Sequence, residues 1–298
     1  MLRAKEGMQV VQKKKTGLVL EGGAMRGMYT AGILDVFMEQ GIAFDGVLGV
    51  SAGAICGCSY VSGQAGRTIR YNKKYCTDKR FMSFHSFFKT GDLVGEEFCY
   101  HEIPEVLDPY DNEAFLKSET KFYVTCTNLE SGEAEHILMK DMFKDIDYMR
   151  ASASMPYVSR IVEKDGKKLL DGGCADSVPV KAFMEMGYEK NVVILTRPAG
   201  YRKKDEKKGL AKLLYRKYPN FVKTLEARAG NYNKEMEEIE ALEAAGTIFV
   251  IRPSRPLEIG RMSHDVKEII RTYEHGRSDA FACLEAMNKW LNTEEVED

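Results

Sequence analysis

The sequence predicts an α/β protein built on one continuous, mainly parallel sheet, with a helical C-terminal portion. Three observations carry that expectation. Short apolar runs of strand length recur at Thr16 to Leu20, Phe44 to Val50, Lys121 to Thr127, Asn191 to Thr196 and Thr247 to Ile251; most read as buried strands. Between the first two lies a helical pattern from Met28 to Gln40, and strand, helix, strand in so little sequence makes a βαβ unit with parallel strands. Long helical patterns then fill Pro219 to Ala245 and His264 to Asn292.

Taken in order, residues 1–15 are charged and lack sustained periodicity, so they read as a solvated tail. In the first helix Ala31, Leu34, Phe37 and Met38 share much of one face, and Gly41 supplies a stop. Arg160 to Leu170 reads as a hairpin with Asp165-Gly166 at its turn. The charged segment Tyr201 to Lys217 is the one internal boundary, which separates residues 16–200 from a mostly helical portion, 201–298, expected to pack on the same sheet. No repeat of solenoid period and no low-complexity linker is visible.

With 298 residues, 44% hydrophobic and 30% charged, the chain has the composition of a soluble globular protein able to bury a sizeable core. A formal net charge of −2 gives no global reason to expect a nucleic-acid partner. The seven cysteines form no disulfide-like framework, and Cys56 and Cys58 stand too close for a standard metal pair. Small buried thiols in a reducing, cytoplasmic compartment are expected, with no metal. No secretory signal is visible near Met1. Residues 46–66 carry no charge and could span a bilayer on length alone. They are rich in Gly and Ser, however, so a strand, a sharp turn and a buried helix describe them better.

That stretch contains Gly49-Val50-Ser51-Ala52-Gly53 between an apolar strand and a helical run, the context of a nucleophile elbow. Gly49 and Gly53 permit a strained turn with Ser51 at its apex, and the helix behind Ser51 points its positive dipole end at the site. Leu169-Leu170-Asp171-Gly172-Gly173 places a carboxylate at the end of another apolar run, where Gly172 and Gly173 let backbone approach. Directly after the first strand, Gly22-Gly23-Ala24-Met25-Arg26-Gly27 opens a helix, and its N–H groups make a nest for negative charge. No Gly-Lys-Ser/Thr follows, and the glycine spacing does not match the dinucleotide fingerprint. An oxyanion hole needs the same donors.

In that order the glycine-rich loop, the elbow and the Asp-Gly-Gly triplet resemble the patatin-like phospholipases, and Ala151-Ser152-Ala153-Ser154-Met155-Pro156 is similar to that family's Ala-Ser-x-x-x-Pro element. The resemblance covers about Thr16 to Val180, and the end of the chain is similar to that of a bacterial subgroup. It implies a three-layer α/β/α fold for a catalytic domain at 16–200, hydrolysis of acyl lipid esters, and a Ser51–Asp171 dyad without histidine, metal or cofactor. The oxyanion hole would come from Gly22, Gly23, Ala24, Arg26 and Gly27. Two departures stand out: Ala24 replaces a third glycine, and Tyr157-Val158-Ser159 follows Pro156 where a Phe-Pro pair is often found.

The mechanism so implied is an acyl-enzyme route with Asp171 as base, and a free aspartate near pKa ~3.9 is a poor base unless burial raises it. Arg26 reads either as an aid to the oxyanion or as a buried ion pair or helix anchor. Phe81, Met82, Phe84, Phe87 and Phe88 read as core or as an acyl pocket or flap, and the basic, Leu-containing Tyr201 to Lys217 segment as a charged surface helix or a peripheral contact with an anionic inner-membrane surface. Two other functions remain open: a non-catalytic regulator on the same fold, and a Ser–His–Asp esterase using His264 or His275.

Overall fold

The computed structural model describes residues 14–204 and 209–293; the expected tail at 1–15 falls almost wholly outside them. Eight strands form one sheet: β1 (Thr16–Leu20), β2 (Gly46–Val50), β3 (Lys121–Asn128), β4 (Ala134–Leu138), β5 (Val162–Lys164), β6 (Lys167–Asp171), β7 (Lys190–Ile194) and β8 (Ile248–Ile251). The order is β5-β6-β3-β2-β1-β7-β8, with β4 paired to β3. β1, β2, β3, β7 and β8 run parallel, while β4, β5 and β6 are joined by antiparallel ladders.

Side chains of the parallel strands alternate between two cores, which makes the fold three-layered. Leu18, Leu20, Val47, Val192 and Ile194 face a core shared with helices α1 (Gly27–Glu39), α2 (Ala52–Val61) and α10 (Val266–Asn292). Val19, Leu48 and Val193 face the opposite core, covered by α7 (Val180–Glu185) and α9 (Pro219–Ala244). The uncharged stretch at 46–66 is therefore β2, a turn and the ten-residue α2. Among the described residues no helix is long and apolar enough to cross a membrane.

Two features of the topology position the site. The chain leaves β1 toward β2 and β3, then returns on the other side of β1 to form β7, so the loops after β1 and β7 diverge and open a crevice at the strand C-termini. The second is the register along β3. β4 occupies one edge of β3 from Tyr123 to Thr127. On the other edge β2 pairs as far as Val50 opposite Thr125, and β6 takes over with Asp171 opposite Cys126. Because β2 runs parallel and β6 antiparallel to β3, their C-terminal ends meet.

Asp165 and Gly166 adopt φ of 50° and 76° at the expected hairpin turn. Tyr201 to Lys217 is not one amphipathic helix: among its described residues only Leu210–Leu214 (α8) is helical, and residues 205–208 lie outside the described set.

Candidate active site

Ser51 stands in the turn between β2 and α2 with φ 54° and ψ −122°, a conformation that L-residues other than glycine rarely adopt. The turn is tight enough that a Cβ on Gly53 would lie 2.4 Å from the Leu20 carbonyl oxygen, and one on Gly49 2.6 Å from the Ala54 nitrogen. It is also tied down. The Ser51 N–H donates to Ser152 Oγ at 3.0 Å, and that hydroxyl donates to the Thr125 carbonyl at 2.7 Å. Ser152 lies at the end of α6 (Ile146–Ser152) and is fully buried.

Asp171 ends β6 and is 4% exposed, against 8% for Ser51. The Ser51 side chain lines the same cleft and favours the ionised form of the Asp171 carboxyl. Its Oδ1 accepts the Gly173 N–H at 2.8 Å, and its carbonyl accepts Thr127 Oγ1 at 2.8 Å. Gly172 passes so close to β3 that a Cβ there would sit 2.2 Å from the Thr125 carbonyl oxygen. Burial pushes the Asp171 pKa up, opposed by the Ser51 side chain, the charge of Arg228, the Gly173 N–H and the charge of Lys203. The net shift is upward, the direction a base for a hydroxyl requires.

The glycine-rich loop lies against Ser51: a Cβ on Gly22 would stand 3.0 Å from Ser51 Cβ. Glu21 anchors it, accepting the Thr196 N–H at 2.5 Å and the Tyr232 hydroxyl at 3.0 Å. Among the described residues no acceptor meets the N–H groups of Gly22, Gly23 or Ala24, and Ala24 has φ 50°. The N–H groups of Arg26 and Gly27 are engaged within the turn, by the carbonyls of Gly23 and of Ala24 and Met25. The free donors are therefore at 22–24, joined by Ala52 at the start of α2, which sequence reasoning did not single out.

Arg26 forms no ion pair with any described carboxylate, and its Nε is buried without a partner. Burial, then Arg197, lower its pKa to about 10. Its side chain lines the cleft of about 320 Å³ that also holds Ser51 and Asp171. Behind the donor loop lies a second, apolar cavity of about 160 Å³, lined among others by Ala24, Ala52, Ile55, Tyr71, Phe81 and Met82. Phe81 and Met82 thus belong to the interior, whereas Phe84 lines the outer cleft and Phe88 is 84% exposed.

No histidine lines the cleft. His264 contacts the Cys76 carbonyl, and His275 pairs with Asp279 and Ser254, so neither stands where a triad would need it. Sequence reasoning also missed Ser152 as a tie for the elbow, although it lies in the Ala-Ser-x-x-x-Pro element. Arg197, Arg228 and Arg261, which share the cleft wall with Lys203 of the basic Tyr201 to Lys217 segment, gave no signal, because they come from separate segments.

Ser51, the buried Asp171 carboxyl and the loop at 22–24 thus meet at the C-terminal edge of an α/β/α sheet. The chain belongs to the patatin-like phospholipase family, whose model matches residues 18–184. Residues 218–292 match a domain of unknown function. An uncharacterized Escherichia coli protein, YjjU, is 28% identical over 94% of this chain and 80% of its own length. Fungal lysophospholipases NTE1 are similar over the first part: 27% identity over 58% of this chain for Phaeosphaeria nodorum, and 26% over 60% for Saccharomyces cerevisiae. The chain spans only 11% and 10% of those two proteins. VipD of Legionella pneumophila aligns over 93% of this chain and 67% of its own at 12% identity and a TM-score of 0.44, too distant to bear on function.

Proposed function

We propose that this chain is a serine acyl hydrolase cleaving acyl esters of lipids, with Ser51 as nucleophile and Asp171 as base. The observation that carries the reading is the strained Ser51 sharing one cleft with the buried Asp171 carboxyl, beside three unengaged N–H groups. Ser51 Oγ attacks the ester carbonyl carbon as Asp171 takes its proton. The carbonyl oxygen, now negative, is held by donors from Gly22, Gly23 and Ala24, with the Arg26 charge nearby. Collapse expels the alcohol, which receives the proton from Asp171. Water, deprotonated by Asp171, then releases the fatty acid from the acyl-enzyme. The apolar cavity behind Ala24 suits the acyl chain. The names of the fungal relatives support a lipid ester as substrate.

Hydrolysis of a short-chain ester and labelling by a fluorophosphonate test this directly. Wild-type protein should be labelled on Ser51 alone, and folded Ser51→Ala and Asp171→Asn proteins should lose at least about 10²-fold in turnover. Near-normal turnover in either variant refutes the dyad.

The same reading places the protein in the cytoplasm, at the membrane surface when acting. All seven cysteines are free, which suits a reducing compartment. Beside the cleft, the Tyr157 N–H donates to the Tyr215 hydroxyl just after α8, whose Leu213 is 70% exposed. Apolar side chains next to basic ones at a cleft mouth fit a bilayer interface. Vesicle co-sedimentation should fall with Leu213→Asp.

A further inference from the structure

The patatin-like match ends at residue 184, and the domain of unknown function begins at 218. That second segment opens with α9, and one face of the helix lies along the site. Arg228, Tyr232 and Glu235 stand four and three positions apart, so they share that face. Arg228 Nε donates to the Gly173 carbonyl at 2.8 Å, and the Tyr232 hydroxyl donates to Glu21 Oε1 at 3.0 Å. Glu235 Oε2 accepts the Ser177 N–H at 3.2 Å.

These bonds reach the two turns of the site that have least stiffness of their own. Asp171 is followed by Gly172 and Gly173, residues with the widest backbone freedom. The Gly173 N–H nevertheless donates to Asp171 Oδ1 at 2.8 Å, which requires the glycine backbone to keep one orientation. The hold is on the Gly173 carbonyl: Arg228 and Ser177 Oγ, the latter at 3.1 Å, both donate to it. Lys203 Nζ in turn donates to Ser177 Oγ at 3.3 Å. Gly22 and Gly23 follow Glu21 in the same way, and Glu21 is tied to Tyr232 and Thr196. One helix thus binds the turn after the carboxylate and the turn before the N–H donors to a common frame.

Resting on the acyl-hydrolase reading of Ser51 and Asp171, we propose that the domain of unknown function completes the catalytic unit through α9: Arg228 is a positioning residue for the Asp171 carboxyl, and Tyr232 one for the donor loop. A helix that served packing alone would need only its apolar side chains, which α9 has in Phe221, Val222, Met236 and Ile239. Arg228 instead reaches the cleft that holds Ser51 and Asp171. A guanidinium N–H is a stronger donor than a neutral one, which suits a carbonyl that must not turn. Its charge also favours the ionised carboxylate and so opposes the effect of burial. Other groups near Asp171 do not change charge as it titrates. Lys203 and Arg26 stay cationic well below pH 8, and burial keeps Cys126 on β3 and Tyr100 protonated. Glu21, Arg197 and Arg261 supply the remaining charges of the cleft. Asp176 and Glu235, raised to about 6 and about 7, line the neighbouring cavity on the other side of the turn.

The test is a variant series in the full-length protein, read in two ways. One is steady-state hydrolysis of a short-chain ester; the other needs no turnover and follows the Asp171 carboxyl by carbon NMR through a pH titration in a Ser51→Ala background. Arg228→Ala should lower kcat at least about tenfold with KM within about twofold, since a turn displaced by ~1 Å misplaces the base rather than the substrate. Arg228→Gln keeps an N–H donor and loses the charge, so the Asp171 midpoint should rise by about half a pH unit or more. Arg228→Lys should restore the midpoint and part of kcat. Tyr232→Phe should lower kcat about tenfold and leave the midpoint in place. Lys223→Ala, exposed on the same helix, should match the wild type in every readout. Wild-type kcat in Arg228→Ala, or an unmoved midpoint in Arg228→Gln, overturns the proposal. Equal losses in Arg228→Ala and Arg228→Lys that track thermal stability also overturn it, by assigning Arg228 to packing. Full turnover in Ser51→Ala and Asp171→Asn would sink the acyl-hydrolase reading and this inference with it; turnover lost there but kept in Arg228→Ala would sink this inference alone.

Discussion

Ser152→Ala is the most informative single change outside the reacting groups. Its hydroxyl accepts the Ser51 N–H and donates to the Thr125 carbonyl, so it bridges the elbow to β3. Both are buried at the junction of β2, β3 and β6. Stranding a buried donor or acceptor costs about 1–3 kcal/mol each. Partial relaxation recovers some of this, so a loss of about 2–4 kcal/mol is expected, a large share of a typical 5–15 kcal/mol total. A second effect follows from backbone strain. The positive φ of Ser51 costs on the order of 1–2 kcal/mol, and the Ser152 bond helps to oppose it. With that bond gone the elbow relaxes and the hydroxyl drifts from the donor loop. Urea denaturation reads the first effect, and the rate of fluorophosphonate labelling at a urea concentration where the variant is fully folded reads the second. A stability change below about 0.5 kcal/mol together with wild-type labelling would refute the idea that this bond holds the elbow.

Four further outcomes are expected. With Asp171 as the proposed base, the acid limb of kcat/KM should lie above the ordinary aspartate value of ~3.9, because that base must be ionised and burial raises its pKa. Gly53→Ala drives a methyl group onto the Leu20 and Glu21 carbonyl oxygens, 2.4 and 2.7 Å away, and should cost at least about 1–3 kcal/mol in a denaturation experiment. Gly230→Ala, in the open interior of α9, should instead raise stability by about 0.5–1 kcal/mol. The Glu235 carboxyl is pushed up to about 7 by burial and then by Asp176, so the folded state binds its proton more tightly than the unfolded state; stability should fall as pH rises from ~4.3 toward 7, and Glu235→Gln should flatten that slope in a thermal-shift series.

Much of the sheet was legible because the strands that build it are short apolar runs with sharp ends. β1, β2, β7 and β8 fall inside the segments expected, as do α1, α9 and α10 within a residue or two. β4 was not legible: its residues are only partly buried, with Glu135 and His136 in the middle, and pairing with β3 makes it a strand. The π-helical segment Phe98–Leu107 was also missed, and Pro104 within it argues against a helix on local grounds. In the site, the elbow, the Asp-Gly-Gly triplet and the donor loop carried sequence signals because each needs glycine where backbones touch. Arg197, Arg228 and Arg261 on the cleft wall carried none. Arg197 and Arg261 are ordinary surface letters until the fold brings them together across 64 positions of chain.

The meeting of β2 and β6 on a single edge of β3 makes that strand a ruler with one-residue divisions. Thr125 marks the end of one partner and Cys126 the start of the other, while the excursion between Ser51 and Asp171 is spent on helices and loops that never set their spacing. Length variation should therefore be unequal across the chain. Insertions in that excursion's exposed loops move neither reacting group, whereas deleting one residue within β3 slides its partners by about 3.3 Å and turns each following side chain to the opposite face. Relatives can be expected to differ freely in the connections and hardly at all in the length of this strand.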